Sequence, residues 1–443
     1  MGWLGLFFLL AGGTTAAEVA SLEHRFWFWQ GSPRPGQVEQ ARTLGVDSVV
    51  VPVAEVEVTG KQVTAKLTLP TTSEPLRGLP LWAAVKMRGG PGEGRAAEGL
   101  WDQVGPAVRG LGLPVKGLVL VADAPFKGLF ALARTLQSRA GLPVEVAAPG
   151  QPLLQLLAKE APGNVTLVAL AFGNLAAFGW PSLNPQDAGE VVDRLDEIGV
   201  AYRGGVAVAS RLTPALAEGG DPWSLVQALD YRPSGEGDVF VATTTAAVAG
   251  VRIPAGSRLL LQGFDASRLQ RDLGILLRPV RRHLVGWDSI GNLPPAPALG
   301  LSWEGFAAFF SGELPQPRLL VRGSWSSPTL LRVVVENLAP FASAFATSGN
   351  FVDLAFAGTE VKDVNLINGA GADFGRMEQG FVRAPRGAAS VVRLYLKVIP
   401  PSATVEVASL SFLSTPKSLS AQATVRLGDG REVSGPVPML VNR

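Results

Sequence analysis

The sequence predicts an α/β protein: a TIM-like (β/α) barrel whose repeats need not be regular, followed by a C-terminal all-β, sandwich-like domain. Three observations predict it. Between Phe26 and Ser289, short apolar runs alternate with amphipathic ones, as repeated βα units do. At Asn292-Leu293-Pro294-Pro295-Ala296-Pro297 a proline-rich connector interrupts regular structure. Beyond it, short β-rich runs are separated by Gly, Pro, Asn and Ser clusters, the signature of a sandwich.

In order, the barrel strands are expected at Arg25–Trp29, Ser48–Val53, Leu81–Lys86, Gly117–Ala122, Val144–Ala147, Val165–Phe172, Gly205–Ala209, Arg258–Gln262 and Leu284–Asp288. Helical spacing predicts helices over Pro35–Leu44, Gly94–Leu111, Gly128–Ala140, Pro152–Ala161, Asn184–Ile198, Thr213–Glu218 and Asp265–Arg281. The total is close to eight βα units. Glu55–Leu67 alternates like a hairpin inserted after the second strand, and Val239–Thr245 is β-rich with no clear place in the order. After a helix at Trp303–Phe310, strands are expected at Leu319–Val321, Leu330–Asn337, Val352–Phe356, Ser390–Ile399, Ala403–Phe412 and Ala421–Leu427. The domain reading is residues 1–17 a signal peptide, 22–291 the barrel, 292–314 the linker and its helix, and 315–443 the sandwich.

Composition narrows the class. With 443 residues, 47% of them hydrophobic and 17% charged, the chain can bury a large core and is rich in loops (52 Gly, 34 Pro). A net charge of +2 without a polybasic block leaves nucleic acid no electrostatic footprint. The apolar run Trp3–Ala11, followed by small residues up to Ala17, reads as an export signal, although no Lys or Arg precedes it. It is too short to cross about 30 Å of hydrocarbon, so a stable membrane span is not expected and an exported location is. The absence of cysteine excludes disulfides, thiolate chemistry and Cys-based zinc sites, and two distant histidines argue against a His-rich one. No metal and no cofactor are expected.

Candidate chemistry concentrates at strand ends, where parallel α/β folds keep their functional loops. Asp123 follows the buried run Lys116–Ala122 and precedes a helix. It could act on a sugar as acid, base or nucleophile, or it could simply bond loop amides or cap the helix. Partner acids are Asp288, delivered with Trp287 by the last strand, and Glu55, on the hairpin with Glu57; for Glu55 a solvated position is the plain alternative, and for Asp288 a turn. In the aromatic first strand Phe26-Trp27-Phe28-Trp29, alternate residues share a face, so Trp29 could present an indole to a sugar, with Trp82, Phe172 and Trp287 ending other strands. The same rings could equally be core. Lys86 could neutralise an acid or hold an anion, or could be solvated. Gly89–Gly94 is glycine-rich but lacks the Gly-Lys-Ser/Thr ending of a phosphate loop. Asn350, Asp353 and Asp373 could contribute to a calcium site, yet their spacing matches no calcium loop.

The tract Leu120-Val121-Ala122-Asp123-Ala124-Pro125 with its following helix, the aromatic strand Phe26–Gln30, and the order barrel, Pro-rich link, β-rich tail resemble a family of bacterial exported proteins known only as domain of unknown function 3142, whose members resemble glycosidase-type barrels. The family's motif at this strand carries two acids, Asp-x-Asp-Ala. Here the second falls on Asp123 and the first on Val121, an apolar residue that can neither carry a proton nor accept from a hydroxyl. The resemblance implies a glycosidase-like barrel that binds or hydrolyses carbohydrate in the cell envelope. From the residues alone, a non-catalytic envelope scaffold or binding protein on a degenerate barrel stands beside it, because acids are scarce.

Overall fold

The computed structural model describes residues 22–29, 33, 36–59, 62–68, 76–88, 96–213, 223, 226, 228–234, 237–248, 251–278, 281–291, 293 and 299–442. The segment 1–17, Gln30, the stretch 89–94, the Pro-rich connector apart from Leu293, and residues 214–218 of one expected helix lie outside them. The chain forms two compact units. The first comprises Met1–Ala209, Leu269–Leu293 and Phe310–Gly312; the second comprises Ser210–Arg268, Pro294–Phe309 and Glu313–Arg443. The span 22–291, expected as one barrel domain, is therefore interrupted by Ser210–Arg268. No helix among the described residues is long and apolar enough to cross a membrane.

The first unit is built on a closed sheet. Strands β1 (Glu23–Trp27), β2 (Ser48–Thr59), β3 (Gln62–Leu67), β4 (Leu81–Arg88), β5 (Val115–Ala122), β6 (Val144–Pro149), β7 (Thr166–Gly173) and β8 (Tyr202–Ala207) belong to it. The eighth barrel strand is β15 (Leu284–Ile290), which pairs in parallel with both β8 and β1; β1 pairs in parallel with β2 and closes the ring. Only β3 departs from the parallel set. It is the expected hairpin partner of β2, pairing Glu55 with Lys66. Strands such as Leu118–Ala122 are apolar on both faces because one side lines the barrel interior and the other lies under helices.

Helices α1 (Gln37–Thr43), α2 (Ala96–Gly110), α3 (Leu129–Ala140), α4 (Gly150–Leu157) and α5 (Pro185–Ile198) follow their strands as the spacing predicts. α5 shows the punctuation that ends such helices. The Asn184 side chain accepts from Asp187 N, Pro185 opens the first turn, and Gly199 closes it at φ 78°. Its apolar stripe Ala188, Val191, Val192 and Leu195 is buried.

One expected barrel strand belongs elsewhere. Arg258–Gln262 (β14) lies in an antiparallel sheet with β9 (Arg211–Thr213), β10 (Asp230–Ser234) and β11 (Gly237–Val241), ordered β10-β11-β14-β9; β12 (Ala246–Val248) and β13 (Val251–Ile253) form a separate hairpin. These strands are inserted between β8 and helix α6 (Ala266–Leu276), and Val239–Thr245 finds its place here. A short apolar run reads the same whether its neighbours are parallel or antiparallel, so periodicity could not separate β14 from the barrel.

After helix α7 (Trp303–Phe310), the second unit holds the sandwich. One sheet is ordered β19 (Val361–Leu366), β23 (Thr404–Phe412), β17 (Leu330–Asn337), β16 (Leu319–Ser327), β26 (Met439–Asn442). The other is ordered β21 (Phe381–Arg383), β20 (Gly371–Met377), β22 (Val391–Tyr395), β18 (Phe351–Ala357), β24 (Ser418–Arg426), β25 (Glu432–Val437). Val321, Val333, Val352, Leu394, Val407 and Ala423, alternating along strands of both sheets, meet in one shared core.

Candidate functional site

The barrel interior fixes which side chains reach its mouth. Trp27, Trp82, Ala84, Val119 and Val121 belong to one buried interior cluster, so they mark the inward face of β1, β4 and β5. Two residues further along the same faces stand Trp29, Lys86 and Asp123. All three were singled out from sequence, and the structure brings them together. Lys86 Nζ lies 3.7 Å from Asp123 Oδ2 and 5.5 Å from the centre of the Trp29 ring. The Asp123 side chain is 39% exposed and that of Lys86 17%, so the pair opens outward.

Two further aromatics complete the group, and neither was singled out from sequence. Both come from the loop after β7. Gly173 makes that loop possible: its φ is +79°, and a Cβ there would lie 2.2 Å from the Ala207 carbonyl oxygen. Asn174 then ties the chain to the neighbouring strand end, its backbone N–H donating to Ala207 O and its side-chain amide to Ala209 O, both at 2.9 Å. The short helical turn Leu175–Phe178 carries Phe178 and leads to Trp180. The Trp180 indole N–H donates to Asp123 Oδ1 at 2.8 Å. Trp29 lies 5.3 Å from Trp180 and 6.4 Å from Phe178, centroid to centroid. Trp180 is buried, whereas Trp29 and Phe178 are partly exposed. The result is an aromatic wall beside a half-exposed carboxylate and an ammonium.

Glu55 stands on the same rim. It is in register with Lys86 of β4, and its carboxylate lies 3.7 Å from Arg88. Since β4 separates β2 from β5 and Lys86 is level with Val121, strand spacing alone holds the backbones at Glu55 and Asp123 about 10 Å or more apart.

The remaining candidates are elsewhere, and their expected places at the mouth are corrected. Asp288 is fully buried. It takes a bidentate bond from Arg25 (2.9 and 2.7 Å) and a third bond from the Trp27 indole at 2.9 Å, two and one inward positions before Trp29 respectively. Trp287 lies on the opposite face of β15, 2% exposed, stacked on the His24 imidazole at 3.7 Å and on Phe310 at 5.8 Å. Adjacent strand residues face opposite ways, so one strand end could not deliver both to the mouth. Phe172 is buried, and the β7–β8 register shifts beside it. Trp82 is core: the Arg25 guanidinium sits 4.7 Å from its ring, and the ring packs on Gly117, where a Cβ would come within 2.3 Å.

Asp288 belongs to a buried charge network that sequence reading missed. Arg25 reaches Glu145 at 2.7 Å as well as Asp288; Arg203 reaches Glu145 at 3.4 Å and Asp288 at 3.7 Å and also pairs with Glu23, which Lys116 meets at 2.8 Å. Burial by itself would lower the Arg25 pKa, but Asp288 and then Glu145 raise it. Burial pushes the Glu145 carboxyl up, with Arg25 and Arg203 opposing. At Glu23 burial also acts upward, yet Arg203 and Lys116 override it and bring the carboxyl down to about 2. A signal existed in the sequence: charged residues embedded in strands buried on both faces require partners inside.

The weak calcium candidates are likewise engaged. Asp353 takes a bidentate bond from Arg393, Asp373 accepts from Arg383 and Tyr395, and the Asn350 amide donates to Ala344 O. Among the described residues no group of three His, Cys, Asp or Glu is placed to hold a metal ion.

No protein-family model matches the chain, so the resemblance to domain of unknown function 3142 has no family-model match behind it. No curated protein sequence matches either. Solved structures do. A putative chitinase A from Streptomyces coelicolor is 12% identical, covering 43% of this chain and 76% of that one, with a TM-score of 0.32. The spore cortex-lytic enzyme of Bacillus megaterium is 10% identical over 65% of this chain and 73% of its own, at 0.38. A chitinase from Chromobacterium violaceum is 15% identical over 65% and 97%, at 0.36. All three TM-scores lie below 0.5, and the functional reading rests on this chain's own geometry.

Proposed function

We propose that the barrel mouth of this chain binds carbohydrate, in an exported protein of the domain of unknown function 3142 type acting in the cell envelope. The observation that carries the reading is the convergence of the partly exposed Trp29 and Phe178 rings with the Lys86–Asp123 pair. A sugar offers an apolar C–H face to a flat ring and hydroxyls at its edge. Trp29 and Phe178 supply the rings. Asp123 has lone pairs left to accept from hydroxyls after meeting Trp180 and Lys86, and Lys86 brings N–H donors.

Hydrolysis is the second reading, favoured by Glu55 on the same rim as Asp123. The separation of the two carboxyl groups would then decide between retention and inversion. Asp288 takes no part, since its oxygens are spent on Arg25 and Trp27.

Binding is tested by titrating the purified protein, from Glu18 onward, with a panel of neutral envelope and plant oligosaccharides, with product analysis on each hit. Binding that drops at least tenfold in both Trp29→Ala and Asp123→Asn supports the mouth as the site; unchanged binding in both variants refutes it. Release of reducing ends that disappears in Glu55→Gln and Asp123→Asn would establish the hydrolytic reading. Export is checked by fractionating cells that express the full chain, and retention in the cytoplasm would overturn it.

A further inference from the structure

The second unit contains a cleft of about 810 Å³ that plays no part in the barrel mouth. That volume is within the usual range of small-ligand sites. One wall is the end of the small antiparallel sheet, Ala228 and Asp230–Arg232, where β10 is an edge strand. The other is the sandwich: Ala346 and Thr347, the turn Ile367–Ala370, and Lys397 with Val398.

The walls are held in place before any ligand arrives. The turn's backbone is pinned at three points, with Ile367 N and Gly369 N donating to Val407 O and Ala370 N to Tyr395 O. The Asn368 amide donates to Glu406 O at 2.9 Å. Gly369 keeps the floor low, because a Cβ there would lie 2.9 Å from Leu366 Cδ2 and 3.2 Å from Val407 O. Across the cleft, the Tyr231 hydroxyl bridges Asp238 and Phe345 O. Lys397 is fastened at both ends, its ammonium donating to Leu229 O and its carbonyl accepting from Ala346 N at 2.9 Å.

The chemistry of the lining is that of a site for a hydroxylated anion. Among the described lining residues are two cations, Arg232 and Lys397, and one acid, Asp230. Thr347 and Asn368 add hydroxyl and amide groups that suit sugar hydroxyls, and the half-exposed Ile367 offers an apolar patch. Lys397 is half-buried, and a cation with little water around it gains more from an anion than a solvated one does. Burial lowers its pKa, and Asp230 opposes the shift.

We propose that this cleft is a second ligand site, separate in residues from the barrel mouth, and that it takes an acidic saccharide whose carboxylate lies between Arg232 and Lys397. The ring hydroxyls face Thr347 and Asn368. Neutral saccharides lack the group the two cations recognise.

The test is calorimetric titration of the protein, and of its Trp29→Ala variant in which the barrel mouth is disabled, with a uronic-acid trisaccharide, its neutral counterpart and inorganic phosphate. The expected result is binding of the acidic trisaccharide at least tenfold tighter than of either other probe, weakening as salt rises from about 50 to 300 mM. Arg232→Ala and Asn368→Ala, both at the surface, should each reduce it severalfold, and Lys397→Gln at least tenfold. Trp29→Ala should leave it unchanged, which separates this site from the mouth even if the mouth binds nothing. The proposal is overturned by loss of acidic-trisaccharide binding in Trp29→Ala or, in that same background, by no binding of the acidic trisaccharide, by equal affinity for the neutral one or for phosphate, or by binding that survives both surface variants. Should Lys397→Gln fail to fold, the two surface variants decide.

Discussion

Replacing Arg25 with Met keeps an unbranched side chain but removes the cation at the centre of the barrel's charge network. Asp288, fully buried, would lose both bonds from Arg25 and keep only the Trp27 indole and the more distant Arg203 at 3.7 Å. Glu145 would lose its 2.7 Å partner and keep Arg203 at 3.4 Å. Breaking a buried pair on one side strands a charge where water cannot reach it, a cost of about 3–5 kcal/mol. For a unit of this size that corresponds to a fall in Tm of about 6–20 °C. Thermal and urea unfolding followed by tryptophan fluorescence reads it directly, since Trp27 and Trp82 line the same interior. The double variant Arg25→Met/Asp288→Leu removes both charges and should recover most of the loss, because well-packed apolar residues commonly replace buried ion pairs at little cost. A single variant that costs less than about 1 kcal/mol, or a double variant no better than the single, would refute the idea that the penalty comes from stranded charge.

Three further outcomes follow from the same contacts. Burial, helped by Arg203, holds the His24 pKa down at about 3 against an ordinary value of 6.5. Its contribution to stability is complete above pH 6.5 and is lost as pH falls toward 3, so His24→Phe, which keeps the stack on Trp287, should flatten the stability profile across that window. Gly117→Ala drives a methyl into the Trp82 ring and should cost about 1–3 kcal/mol, while Gly110→Ala, with nothing within 4 Å of the added carbon, should be neutral or mildly stabilising in the same unfolding assay. Trp180→Phe keeps a ring but removes the donor to Asp123, and should weaken oligosaccharide binding at the mouth about tenfold, one hydrogen bond's worth, as read by calorimetric titration.

Glu23 adds a second acid-side effect. Its carboxyl, held at about 2 against an ordinary 4.5, contributes stability above pH 4.5 that is lost as pH falls toward 2. With His24, it makes the barrel's acid sensitivity begin below pH 6.5 and deepen below 4.5.

Much of the barrel is legible in single strands. Lys116–Ala122 reads as buried on both faces, and from Gly117 onward it is, while Lys116 itself is exposed; Glu55–Leu67 reads as a hairpin and pairs as one. The mouth is partly legible too, because Trp29, Lys86 and Asp123 each sit at a strand's end and the period-2 rule places each two residues beyond a buried inward neighbour. The same rule, applied to Trp287-Asp288, would have separated the two residues that strand-end position alone put together.

What the sequence determined by itself is therefore local: strand and helix spans, the inward or outward parity of each side chain, and the punctuation by Gly, Pro and Asn that ends an element. Tertiary structure decided partnership. Trp180 reaches Asp123 across 57 residues and Asp288 meets Arg25 across 263, through pairings that no local pattern encodes. β14 joined an antiparallel sheet rather than the barrel, since an apolar run of five residues satisfies either. Burial itself is collective: whether a strand-end carboxylate opens to solvent, as Asp123 does, or is enclosed with two arginines, as Asp288 is, depends on which inward positions the closed ring sets around it.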